Sequence, residues 1–259
     1  GHRVSIFTRG RTNADLFPEA EHLIGNRDSD LAAIEAALGS SSSRGARFDA
    51  CVDVSGYTTR QLEQSVGLLS EHVDRYLFIS TVSVYKPPVP ERFTEESPVE
   101  EVDDPYVPLS NESYGTLKVA CENVVTGRMG DRSLVYRLGL VNGPWDPTDR
   151  ATCWTVRAAE GGTIFVPAGP EIPFQVIDAR DIGRAVVHGL TGNLTGTYNL
   201  VNEPTTWKLW LEMSREAGGN PEVEYVFADD QVWVAEALDE ISDPRPRGGH
   251  LEEPDIPGV

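Results

Sequence analysis

The chain has 259 residues, of which 39% are hydrophobic and 24% are charged, a composition typical of a globular protein. Its formal net charge of −19 makes the phosphate backbone of a nucleic acid an unfavourable partner. No apolar run has the length of a membrane span, and no secretory signal opens the sequence. We therefore expect a cytoplasmic protein that does not bind nucleic acid.

The cysteines and histidines indicate neither a disulfide framework nor a metal site. The three cysteines are odd in number and form no CxxC pair, which favours buried thiols in a reducing compartment. The five histidines are scattered, without the spacing of metal ligands. We predict that no metal is bound.

Apolar strands and amphipathic helices alternate along the first half of the sequence. Continuous apolar strands separated by helices indicate a parallel sheet that is covered on both faces. The predicted fold class is therefore α/β, with a doubly wound parallel sheet. The predicted strands cover 4–7, 22–24, 50–54 and 76–79, and the predicted helices cover 31–38 and 62–73.

The second half carries a looser pattern. Residues 86–108 are rich in Pro and Glu and predict a long surface excursion. Residues 40–45 predict a flexible loop, and the polar end from residue 239 predicts a poorly ordered tail. The later strands are predicted at 133–137, 174–177, 196–200 and 223–227, and the later helices at 113–125, 182–190 and 206–216.

Tyr114 and Lys118 form the sharpest chemical motif. They are four residues apart in the helix predicted at 113–125, so their side chains share one face, one turn apart. A nearby ammonium favours the phenolate and lowers the pKa of a tyrosine, which suits proton transfer at a hydroxyl or carbonyl group. The alternative is a chance pair of surface residues.

A second signal is the run of hydroxyl residues that ends the strand at 76–79. Ser80, Thr81 and Ser83 follow this strand directly, at the carboxyl edge where open α/β sheets bind ligands. A structural reading remains open for Thr81, because a hydroxyl at a strand end also caps turns.

These motifs together resemble the extended short-chain dehydrogenase/reductase superfamily, also called the NAD-dependent epimerase/dehydratase family. The matching segments are FISTVSVY at 78–85, YGTLK at 114–118, RLGLVNGP at 137–144 and VIDARD at 176–181. The resemblance implies a Rossmann-like fold in which Thr81 hydrogen-bonds the reacting oxygen. It also implies that Tyr114 is the acid/base and that Lys118 holds the nicotinamide ribose.

The same resemblance divides the chain and assigns a cofactor surface. It implies a dinucleotide-binding domain over 1–145 and a mixed region over 146–259, with late sheet elements at about 173–200 and a small C-terminal substrate lobe. Arginines pair well with a 2′-phosphate, so the segment after the first strand favours NADP over NAD. Arg150 is a candidate for binding an anionic substrate group. The cofactor candidates are Thr8, Arg9, Arg11, Asn26, Arg27, Ser55, Gly56, Lys118 and Leu140.

One feature of the family is not found in this sequence. The family begins with a strand, a GxxGxxG loop and a helix that binds the pyrophosphate, and no such glycine pattern lies near Gly1. We expect the first βα unit to be missing, the chain to be a fragment, and cofactor binding by this chain alone to be weak.

Two functions remain open at this stage. The first is an NAD(P)-dependent reductase, epimerase or dehydratase that acts on a nucleotide sugar or another carbonyl or hydroxyl substrate, with pairing into a homodimer. The alternative is a non-catalytic nucleotide- or RNA-binding protein similar to the chloroplast stem-loop binding proteins. The −19 charge and the complete YxxxK motif favour the enzyme.

Overall fold

A computed structural model of the chain describes residues 1–39, 47–90 and 92–228. The chain forms two compact units. Of the described residues, the first unit contains those within Gly1–Arg137 and Ala185–Asn199, and the second contains Leu138–Arg184 and those from Leu200 to Ala228. The predicted loop at 40–45 and the predicted tail from residue 239 lie outside the described residues.

Twelve strands and six α-helices are present in the described residues. The strands are β1 (Ser5–Thr8), β2 (Glu21–Ile24), β3 (Phe48–Asp53), β4 (Val73–Thr81), β5 (Ser133–Leu138), β6 (Leu140–Asn142), β7 (Gly162–Val166), β8 (Pro173–Phe174), β9 (Val176–Asp178), β10 (Gly196–Leu200), β11 (Thr205–Thr206) and β12 (Val223–Phe227). The helices are α1 (Ala32–Gly39), α2 (Thr59–Leu69), α3 (Tyr114–Met129), α4 (Thr152–Glu160), α5 (Ala179–Thr191) and α6 (Trp207–Gly218). None of these helices combines the length and apolar character needed to cross a bilayer.

The first unit is built on a four-stranded sheet with the order β10-β5-β4-β3. Strand β3 runs parallel to β4, and β1 and β2 form a separate parallel pair. The core consists of apolar side chains of α1, α2 and α3 packed on β4 and β5, with Phe7 of β1 and Leu23 of β2 at its border. The predicted α/β fold with mainly parallel strands is confirmed.

Helix α2 differs from its prediction at both ends. It begins at Thr59 because Thr58 and Gln61 form a capping box, in which side chains satisfy two backbone N–H groups at the helix start. It ends at Leu69, and Val73, predicted as its last apolar residue, is instead the fully buried first residue of β4. Apolar spacing alone does not distinguish the two roles of Val73.

The second unit contains elements that the sequence pattern did not predict. Helix α4 and strand β7 fall between the predicted strands, and the late strand predicted at 174–177 is two short strands, β8 and β9. Strand β7 pairs in parallel with β12, and β6 pairs in parallel with β9. The edge-to-face contact of Trp154 with Trp207, at 5.2 Å between ring centroids, joins α4 to α6.

Candidate active site

Thr81 ends β4 and is 9% exposed. Its Oγ1 accepts a hydrogen bond of 3.1 Å from the backbone N–H of Ser83 and thereby caps a short 3₁₀ turn over Val82–Val84. The same hydroxyl donates to Ser83 Oγ at 3.2 Å. The capping role that the sequence left open is therefore present, and it fixes the position of the Thr81 hydroxyl at the strand end.

Tyr114 is the first residue of α3 and is half-buried. The next residue, Gly115, approaches the Ser83 turn so closely that a Cβ atom there would lie within 2.3 Å of the Ser83 carbonyl oxygen. Only glycine permits this approach. The beginning of the helix that carries Tyr114 is thus pressed against the turn that Thr81 caps.

Lys118 lies one turn further along α3 and is only 3% exposed. Its Nζ donates hydrogen bonds of 2.8 Å to the carbonyl oxygens of Gly56 and Ile79, and it lies 4.1 Å from the centroid of the Phe78 ring. Burial lowers the pKa of Lys118 to about 8, because the charged form loses its hydration.

The sequence did not predict a buried polar network beneath these residues. Ser80 Oγ donates to Glu122 Oε1 at 2.6 Å, so the Ser80 hydroxyl proton is bound within the protein. Glu122 also receives two hydrogen bonds from Arg137, at 3.0 Å from Nε and 2.7 Å from Nη2. Burial works against the charge of Arg137, but Glu122 outweighs it and raises the pKa of Arg137 above its ordinary value.

Arg27, one of the cofactor candidates, forms a second buried network. Its Nη1 and Nη2 donate to the two carboxylate oxygens of Asp53 at 2.8 and 2.9 Å, and Nη1 also donates to Ser55 Oγ at 3.0 Å. Tyr76 Oη donates to Asp53 at 2.7 Å. Burial favours the neutral form of Asp53, but Arg27 and the other donors hold the pKa of this carboxyl below its usual value.

The remaining cofactor candidates of the first unit have different environments. A Cβ on Gly56 would lie 2.5 Å from a methyl group of Leu62, so this position requires glycine for packing. Asn26 Oδ1 accepts from the backbone N–H of Asp28 at 3.0 Å, and Thr8 Oγ1 accepts from that of Gly10 at 3.2 Å. The side chains of Thr8, Arg9 and Arg11 are exposed to solvent.

Leu140 and Arg150 belong to the second unit. Leu140 is the first residue of β6 and pairs with Val176 of β9. Arg150 is exposed and donates from Nε to Thr148 Oγ1 at 2.9 Å. Over the described ranges, no group of three His, Cys, Asp or Glu side chains could hold a metal ion.

Solved structures of nucleotide-sugar enzymes are similar to this chain along most of their length. UDP-N-acetylglucosamine 4-epimerase from Bacillus cereus has a TM-score of 0.65 at 15% identity, with 89% of this chain and 79% of that chain covered. dTDP-glucose 4,6-dehydratase from Bacillus anthracis in complex with NAD has a TM-score of 0.62 at 17% identity, with 95% and 83% covered. The chain has the fold of the NAD-dependent epimerases and dehydratases. No protein-family model matches the sequence, and no curated protein matches it significantly.

Structures with this epimerase/dehydratase fold are known with either nicotinamide cofactor. dTDP-4-dehydrorhamnose reductase from Bacillus anthracis in complex with NADP has a TM-score of 0.56 at 14% identity, with 88% of this chain and 84% of that chain covered. At these identities the likeness shows the fold, and it does not choose between NAD and NADP. The alternative of a chloroplast stem-loop RNA-binding relative finds no support in these comparisons.

Proposed function

We propose that this chain is an NAD(P)-dependent oxidoreductase or epimerase-type enzyme that acts on a nucleotide sugar, or another carbonyl or hydroxyl substrate, through Thr81, Tyr114 and Lys118. The observation that carries the proposal is the joining of α3 to the end of β4. Lys118 binds the Ile79 carbonyl, and Gly115 packs on the turn that Thr81 caps. The three side chains therefore lie on two elements, α3 and the end of β4, whose relative position is fixed by direct contacts.

Donors on or beside the carboxyl ends of β2, β3 and β4 would suit a nicotinamide dinucleotide. An ammonium has three N–H groups, and Lys118 uses two of them on backbone carbonyls. Arg27 Nε is buried without a hydrogen-bond partner in the described part of the chain. Val54, 65% exposed, and Tyr57, 42% exposed, add apolar surface after β3. Bound nicotinamide would supply the carbon that gives or accepts a hydride.

The side chains of this chain would handle the proton and the orientation of the substrate. Thr81 would hydrogen-bond the reacting oxygen, and Tyr114 Oη would give that oxygen a proton during reduction or take one during oxidation. Lys118 would favour the tyrosinate form through its charge. Epimerisation and dehydration begin with the same oxidation, so all three reaction types need the same residues.

The test is turnover of a panel of substrates by the full chain. UDP-glucose, UDP-N-acetylglucosamine and dTDP-glucose would be assayed with high concentrations of NAD⁺ and of NADP⁺, with nicotinamide absorbance and sugar products as readouts. Tyr114→Phe should lose at least about a hundredfold in kcat while it retains cofactor binding. Tyr106→Phe, which alters an exposed phenol bonded to Glu63, is the matched control. Equal turnover by Tyr114→Phe and the unaltered chain would reject the role of Tyr114.

The preference for NADP over NAD is proposed from the exposed arginines Arg9 and Arg11. Guanidinium groups pair well with a 2′-phosphate, and both side chains are exposed to solvent, where a phosphate can reach them. Calorimetry should show tighter binding of NADPH than of NADH, and Arg9→Ala with Arg11→Ala should reduce that difference. Arg47→Ala, at an exposed arginine paired with Asp74, is the control. A clear preference for NADH would refute this part of the proposal.

Homodimer formation and a cytoplasmic location are also proposed. Helices α2 and α3 pack together, and Glu63, Asn123 and Val124 line a shallow recess between them. A second copy of the chain would cover this surface. Sedimentation equilibrium should show a dimer for the unaltered chain and a monomer for Val124→Glu. The three unpaired cysteines suit the reducing cytoplasm.

A further inference from the structure

Two side chains of α3 form hydrogen bonds with two consecutive residues of β4. Lys118 Nζ binds the carbonyl oxygen of Ile79 at 2.8 Å, and Glu122 Oε1 binds the hydroxyl of Ser80 at 2.6 Å. Lys118 and Glu122 are four residues apart and share a helix face. Thr81, whose hydroxyl belongs to the candidate active site, follows Ser80 directly. The two hydrogen bonds therefore hold the strand immediately before Thr81.

Glu122 is itself held from a third element. The Arg137 guanidinium on β5 binds both carboxylate oxygens, and each of the two side chains is 8% exposed. Arg137 also donates to Tyr85 Oη at 3.0 Å, and Tyr85 Oη donates to Asn199 Oδ1 at 2.7 Å. A buried ion pair contributes little net stability against apolar residues of the same size. Its better-attested contribution is to fix geometry.

We propose that Glu122 is a positioning residue that, anchored by Arg137, holds Ser80 and thereby aligns Thr81 on β4 with Tyr114 and Lys118 on α3. The inference rests on the proposed function, because the alignment matters for catalysis only if these three side chains react with substrate. Loss of the Ser80 tether should let the end of β4 shift against α3. Because Ile79 is the neighbour of Ser80, its contact with Lys118 should loosen at the same time.

Ser80→Ala tests this inference cleanly, because it removes the tether and leaves the Glu122–Arg137 pair intact. The first readout is the titration of Lys118 in the full chain labelled with ¹³C at lysine Cε. The sequence contains only three lysines, Lys86, Lys118 and Lys208, and Lys118→Arg identifies the Lys118 signal. The titration midpoint should move from about 8 toward the ordinary lysine value, because a loosened ammonium regains water.

The charges around Lys118 stay the same in Ser80→Ala. Beside the larger effect of burial, the carboxylates of Asp53 and Glu122 raise the pKa of Lys118 and the guanidinium of Arg27 lowers it. A moved midpoint would therefore report altered burial of the ammonium. The second readout is turnover: kcat should fall by about tenfold or more, while KM changes little, as expected for misplaced reacting groups.

Ser133→Ala is the matched control. Ser133 is as buried as Ser80, at 4% exposure, and its Oγ donates to the Gly130 carbonyl at 2.7 Å at the other end of α3. A purely structural loss of one buried hydrogen bond should be similar in both variants. Ser80→Cys, which fills the space but donates weakly, should behave like Ser80→Ala.

The outcomes separate this inference from the proposed function. A Lys118 midpoint that is the same in Ser80→Ala and Ser133→Ala overturns the positioning role, as does an equal loss of kcat in the two variants. If the midpoint moves only in the Ser80 variants but the unaltered chain turns over no substrate of the panel, the alignment by Glu122 is supported and the proposed function is rejected for these nucleotide sugars.

Discussion

Lys118 Nζ lies 2.8 Å from the carbonyl oxygen of Ile79, so the ammonium is bound to the strand that ends in Thr81. The same nitrogen binds the Gly56 carbonyl beyond β3, and it therefore joins α3 to the ends of two neighbouring strands. A charged group in this buried position has lost most of its hydration, which costs free energy that its hydrogen bonds offset in part. The cost disappears when the amine loses its proton.

The stability contributed by Lys118 should therefore depend on pH. Below about 8 the amine carries its proton in both the folded and the unfolded chain, and the full cost of burial is present. Between about 8 and about 10.4 the unfolded chain binds more protons than the folded chain, so this contribution to stability rises with pH by up to about 3 kcal/mol.

Lys118→Met isolates this contribution. Urea unfolding of the chain and the variant should show a free-energy difference that shifts in favour of the unaltered chain as the pH rises from 7 to 10. Lys208→Met, at an exposed lysine, is the control for the loss of a lysine side chain. A pH-independent difference for Lys118→Met would mean that the amine has the same pKa in the folded and the unfolded chain, as a fully hydrated amine would.

Gly115→Ala should be strongly destabilising even though alanine is the better helix former. The added Cβ would lie 2.3 Å from the Ser83 carbonyl oxygen, a backbone atom that cannot rotate away. We expect a loss of about 2 kcal/mol or more in the free energy of unfolding, with lower turnover because α3 must move away from the Thr81 turn.

Gly127→Ala in the same helix is the control for Gly115→Ala. A Cβ on Gly127 meets no atom within 4 Å, so this variant should gain about 0.5–1 kcal/mol from helix propensity. Thermal unfolding monitored by circular dichroism compares the two directly. A Gly115→Ala variant as stable as Gly127→Ala would contradict the close approach of α3 to the Ser83 turn.

The sequence was sufficient for the parts of the site that depend on local periodicity. Tyr114 and Lys118 were found because four residues make about one helical turn, and Thr81 because it follows an apolar strand. The pairs Glu122–Arg137 and Arg27–Asp53 were not found, because their partners are 15 and 26 residues apart in sequence and lie on different elements that only the tertiary fold brings together. Helix α4 was missed because only Ala158 of it is buried.

Asp53→Asn should be far more costly than a similar change at the surface. Asp53 accepts hydrogen bonds from Arg27 and Tyr76 and is 7% exposed, so the variant leaves a largely buried guanidinium without its counter-charge. Breaking a buried pair in this way typically costs about 3–5 kcal/mol. Asp74→Asn, which breaks the exposed pair with Arg47, should cost less than about 1 kcal/mol.

The loss in Asp53→Asn should also shrink in acid. The folded chain holds the pKa of Asp53 below its usual value, so the carboxylate contributes stability above about pH 4, which is lost as the pH falls further. Urea unfolding at pH 7 and at about pH 3 would measure this change. Equal losses at both pH values would show that the charge of Asp53 does not stabilise the fold.

The three thiols should differ sharply in their reactivity. Burial raises the pKa of Cys51 and of Cys121 to about 12, so almost no thiolate is present at pH 8, and the thiolate is the form that reacts. Cys153 is exposed. An aromatic disulfide reagent should therefore modify one thiol per folded chain rapidly and all three after unfolding in urea. Cys153→Ser should abolish the rapid phase, and a second rapid thiol in that variant would contradict the packing of β3 and α3 around the core.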